Sequence, residues 1–161
     1  MAIKQAYTLI ELVIVVGLVS ILAIGISSAV LINATTATRT KNITNLRTAG
    51  GYSLNTIKQL IRSSRSITTC DSNTISLQNQ DGATTTISLE IDNSIGRIAS
   101  NSGIYLTPDD ISIINFTITC LPNDTEPTLI KLSFDTELTT PTTAKESPTL
   151  HFSTSVTPRS N

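Results

Sequence analysis

Leu12 to Ile32 form an uncharged run of 21 residues, LVIVVGLVSILAIGISSAVLI. As a helix it would measure about 30 Å, the thickness of a bilayer core. Gly17, Ser20, Gly25, Ser27 and Ser28 dilute the run without breaking it, and small residues of this kind let apolar helices approach closely. The alternative is a buried helix in a soluble core. The rest of the chain is too polar to wrap one: aromatics make up 4% of the 161 residues, Trp is absent, and Ser, Thr and Asn abound. That composition implies a polar, secreted-looking surface over a thin core.

One carboxylate, Glu11, stands at the edge of the run. Placing it there costs about 2–3 kcal/mol on insertion scales, which argues for a partner. A cleaved secretory signal is the main rival. It would need a basic leader, a shorter apolar stretch and a small-x-small cut. Here only Lys4 precedes a run that is too long.

From 33 to 66 the spacing stays helical. Ile43, Leu46, Gly50, Leu54, Ile57, Ile61, Ser64 and Ile67 recur at three- and four-residue steps, which makes one narrow apolar face. No Pro occurs between Met1 and Leu106. One helix is therefore predicted from near Thr8 to about Ser66. Gly50-Gly51 weakens it by about 2 kcal/mol relative to Ala-Ala, and a kink or break is expected there.

After Cys70 the period changes to two. Ile75 and Leu77, then Ile87, Leu89 and Ile91, alternate with polar neighbours. Ile114 to Cys120, Ile130 to Phe134 and Leu150 to Val156 do the same. These are half-buried strands. Asp81-Gly82 marks a hairpin between two of them. Thr139 to Pro148 reads as a polar loop, and the last four residues should fray. The expected fold class is α+β: a long N-terminal helix packed on a small antiparallel sheet.

The stretch AYTLIELVIVVGLVSILAI resembles the N-terminal signature of type IV prepilins and type II secretion pseudopilins. That signature is a short basic leader, a small residue at the cut, an aromatic, T-L-[IV]-E and a long apolar helix. LHFSTSVTPRSN and YLTPDDISIINFTI are more loosely similar to later segments of the minor pilin and pseudopilin subset. Ala6 stands where the family usually has Gly. The run lacks the Pro that many major pilins carry. Arg39, Lys41 and Arg47 beside the span outnumber Lys4, a count that favours the opposite orientation; the motif is given precedence.

The resemblance implies a ladle-shaped fold in four parts: a leader (1–6), a transmembrane or filament-core helix (7–32), its continuation on the head (33–66) and a β-rich head (67–161). It implies cleavage by a prepilin peptidase between Ala6 and Tyr7 and N-methylation of Tyr7. Glu11 would serve subunit assembly. The precursor would cross the inner membrane once, with its head outside the cytoplasm, then enter a filament with other pilin or pseudopilin subunits. An oxidising compartment would join Cys70 to Cys120 rather than leave two buried thiols, and closing that loop would contribute about 4 kcal/mol.

Rival functions are a membrane-anchored β-domain adhesin that never polymerises and a DNA-capture pilin. The latter rests on charge: Arg39, Lys41, Arg47, Lys58, Arg62 and Arg65 lie together, with no acid between Glu11 and Asp71. The blander reading is a solvated helix face, since only Tyr52 in that stretch could stack on a base. From Asp71 onward there are eleven acids against four bases. Asp109-Asp110 reads as a turn rather than a calcium site. The lone His151 reads as a surface residue on the polar side of its strand. No phosphate loop, Cys-x-x-Cys or nucleophile motif is present. No enzyme, cofactor or metal is expected.

Overall fold

A computed structural model describes residues 8–101, 103–122, 127–139 and 148–159. One helix, α1 (Leu9–Ser63), precedes seven strands: β1 (Ser66–Cys70), β2 (Thr74–Gln78), β3 (Thr84–Asp92), β4 (Ile95–Ser100), β5 (Ile111–Leu121), β6 (Leu129–Leu138) and β7 (Leu150–Val156). The fold is α+β, with the helix packed against two antiparallel sheets rather than one. Their orders are β1-β2-β3-β4 and β5-β6-β7. The chain divides into two compact units, Met1–Thr38 and Arg39–Asn161.

In the first unit α1 is apolar all round, and its residues are exposed from Leu9 onward. In the second unit, Leu46, Gly50, Ser53, Ile57 and Ile61 are buried at three- and four-residue steps. They meet a core that includes Ile75, Leu77, Ile87 and Ile98 of the first sheet and Ile113, Ile130, Leu132 and Phe134 of the second. Fully burying one such side chain contributes about 1.5–3 kcal/mol.

The helix runs through Gly50-Gly51 without interruption. Gly50 is there for contact: a Cβ on it would overlap the ring of Phe152. Phe152 stacks on Phe134, ring centroids 5.5 Å apart, and Phe134 lies 6.5 Å from Phe116. All three phenylalanines of the chain therefore line one row of the second sheet. The helix stops at Ser63. The Ser64 hydroxyl donates to the Ile61 carbonyl at 2.8 Å, and Arg65 N donates to Gln78 O at 2.7 Å, turning the chain into β1.

The β2–β3 hairpin turns at Asp81-Gly82, with Gly82 at φ 84° and Asp81 Oδ1 accepting from Ala83 N at 3.0 Å. The tight β3–β4 hairpin turns on Asn93 and Ser94, both at positive φ (49° and 68°). In β5 the expected alternation slips. The register shifts between Ile114 and Thr117, where Asn115 takes φ 53°. Ile111 and Ile113 therefore reach the core before the bulge and Phe116 and Ile118 after it, leaving Ile114 half-buried. One inserted residue exchanges the two faces of a strand. The sheets come together where Gly96 of β4 meets β5: its N donates to Ser112 Oγ at 3.2 Å, and a Cβ there would overlap the Ile113 carbonyl oxygen.

Candidate functional site: the apolar helix and the exposed faces of the head

An 18-residue window of α1 reaches a mean hydropathy of 2.8 with none of it buried, long and apolar enough to span a membrane. The hydroxyls of Ser20, Ser27 and Ser28 turn back to the carbonyls of Val16, Ala23 and Ile24 at 2.8–3.0 Å. The polar atoms of this stretch are thus satisfied inside the helix, as a segment in lipid requires.

Glu11 lies in the first turn of α1. Its N–H donates to the Thr8 carbonyl at 3.1 Å and to Thr8 Oγ1 at 3.4 Å. Thr8-x-x-Glu11 is thus the pattern of an N-terminal capping box, with the Thr half formed. A carboxylate at this place also complements the positive end of the helix dipole. Sequence reasoning passed over this role, although the spacing signals it. The expected cleavage and methylation residues, Ala6 and Tyr7, lie outside the described residues.

Cys70 and Cys120 are joined, with Cα atoms 6.4 Å apart. The bond ties β1, at the edge of one sheet, to β5 of the other. Ile118 N reinforces the junction by donating to Ser72 O at 2.7 Å.

Asp109 and Asp110 occupy a turn, as expected. Asp109 Oδ1 lies 2.5 Å from an Arg97 terminal nitrogen, which also donates to Thr107 O at 2.9 Å. The guanidinium carbon sits 3.8 Å from the centre of the Tyr105 ring. Arg97 therefore pins the segment leading into β5, a role that sequence reasoning missed. Among the described residues no group of three or more His, Cys, Asp or Glu side chains could hold a metal.

His151 is exposed, but it has partners. Its Nδ1 lies 2.7 Å from Asp135 Oδ1, and Asn115 Nδ2 donates to Asp135 Oδ2 at 2.8 Å. The trio links β5, β6 and β7. The bond from Asn115, then that from His151, holds the Asp135 carboxyl below the usual carboxylate range. Thr117, Ser133 and Ser153 line an open face together with His151.

The second half of α1 has two flanks beside its buried stripe, on which Arg47, Thr48, Tyr52 and Arg62 are exposed and Ala49 and Lys58 half-buried. Arg47, Lys58 and Arg62 follow one side of the buried stripe. On the other side Ala49 and Tyr52 form a groove of about 570 Å³ with Thr48, Pro108, Asp110 and Ile111. No family model, curated protein or solved structure matches this chain.

Proposed function

We propose that this protein is a structural subunit of a type IV pilus or type II secretion-like filament, of the minor pilin or pseudopilin kind. The observation that carries the reading is an exposed, all-apolar helical stretch, opened by one carboxylate, on the helix that also forms the spine of a disulfide-closed β head. The precursor waits in the inner membrane with its head outside the cytoplasm. A prepilin peptidase cuts between Ala6 and Tyr7 and methylates the new amine. The subunit then moves from lipid into a bundle of like helices. Glu11 lies four residues from that amine, and an unpaired carboxylate in an apolar bundle is costly. Pairing with the Tyr7 amine of a neighbouring subunit offsets the desolvation of both and sets the axial register.

The Thr8–Glu11 cap favours a second reading, a membrane-anchored β-domain that never polymerises. On that reading Glu11 only starts the helix. Glu11→Gln separates the two, because Gln fills the third position of a capping box as Glu does but carries no charge. The experiment shears filaments from cells and blots the filament and cell fractions. The filament reading expects Glu11→Gln to reach the membrane normally and to be depleted from filaments by at least about tenfold, as loss of one partner of a buried pair implies. Incorporation equal to wild type overturns the pairing role.

A further inference from the structure

We infer that the basic flank of α1 in one copy docks into the Tyr52–Asp110 groove of a second copy, giving a repeating head-to-tail contact. The inference deepens the filament reading and rests on it.

The two surfaces are complementary in charge and chemistry. Lys58 and Arg62 are one helical turn apart, a like-charge spacing that destabilises a helix. Neither has a salt-bridge partner among the described residues, and nor does Arg47. The rest of the head is acidic, with eleven acids against four bases from Asp71 onward. In the groove, the exposed Asp110 carboxylate is unpaired among the described residues, whereas its neighbour Asp109 is already bound to Arg97. The Tyr52 side chain is exposed at 64%. It offers an apolar face for a Lys or Arg stem and a ring for the charge at its end. Ala49, Pro108 and Ile111 add apolar lining.

Geometry makes the contact intermolecular. At about 100° per residue, Lys58 and Arg62 lie on one side of the stripe that buries Leu46, Ile57 and Ile61. Ala49 and Tyr52 lie on the other side, and Thr48 faces directly away from the stripe. One molecule cannot bring its own two flanks together. When the flank of one copy fills the groove of the next and its own groove takes the flank of a third, the contact is heterologous and propagates instead of closing as a twofold dimer. A filament needs such a contact.

The test uses the full-length protein in its own cells. A photoreactive phenylalanine analogue is incorporated at position 52 in one tagged copy, beside a second copy with a different tag. Irradiation should give adducts between the copies, with the cross-link mapping to residues 58–62. Lys58→Glu with Arg62→Glu in the second copy should reduce the adduct by about tenfold or more, the scale of like-charge juxtaposition at an interface. Asp110→Lys in the first copy should restore it. The Cys70–Cys120 bond, read by non-reducing electrophoresis, reports that each variant folds, and the restored adduct reports it again. Adducts only to other proteins, no adduct in wild-type filaments, or a yield indifferent to charge reversal would each overturn the docking. Wild-type filaments without this adduct sink the docking and leave the filament reading standing. The adduct in cells that form no filament would come from a closed pair and overturns the repeating contact.

Discussion

The two halves of α1 obey different rules. In Leu9–Ile32 apolar side chains cover the whole circumference: Leu22 is 65% exposed and Ile24 69%. In the second half they form a stripe, and Ile57 and Ile61 are each 1% exposed. A stripe means that the partner surface belongs to the same chain. A helix that is apolar all round needs surroundings that the chain does not supply, either lipid or like helices. On the proposed reading, the packed half serves stability and the apolar half serves assembly.

Breaking the Cys70–Cys120 bond should have the largest effect, and only on the head. The bond closes a separation of 50 residues, for which chain entropy gives about 4 kcal/mol. Cys70→Ser with Cys120→Ser should lower the melting temperature by several degrees or more and leave membrane fractionation unchanged. Unaltered melting would mean that the sheets need no staple.

One truncation placed in each half tests the contrast itself. Ile57→Ala should cost about 2–5 kcal/mol in thermal unfolding of the head. Leu22→Ala should leave that transition within about 0.5 kcal/mol. Equal effects would show that both halves pack within one molecule and would dissolve the distinction.

The smallest effect is present at neutral pH and is lost in acid. Asp135 is held below the ordinary carboxylate range by Asn115 and His151. A depressed folded value stabilises the protein above the unfolded value, and that contribution disappears as pH falls through the folded one. Wild type should therefore melt higher than Asp135→Asn from neutral pH down to about 4, with the gap closing below that. A gap that persists under acid would assign the difference to packing.

Much of this was legible in the sequence. The uncharged run gave the apolar helix, and the spacing from Leu46 to Ile61 gave the packed stripe. Asp81-Gly82 gave one hairpin because glycine advertises a positive φ. Asn93-Ser94 gave no such signal, since Ser rarely takes that conformation, so β4 went unread. β1 carries no strand signal of its own, because Ile61, Ser64 and Ile67 keep a three-residue step across the helix end at Ser63. Gly50 looked like a weakness because propensity is local, whereas its reason, the Phe152 ring, lies about a hundred residues away in sequence. Two sheets looked like one because alternation reports that a strand has a buried face, not which strands it joins. The groove was invisible for a similar reason, as Tyr52 and Asp110 meet only through tertiary structure.

The central claim is that the apolar half of α1 is a processed filament element. N-terminal peptide mass spectrometry on protein recovered from cells containing a prepilin peptidase tests it most directly. The account predicts a mature chain that begins at Tyr7 and carries a methylated amine. A chain that begins at Met1, or one cut after residue 25 as a secretory signal would be, contradicts it.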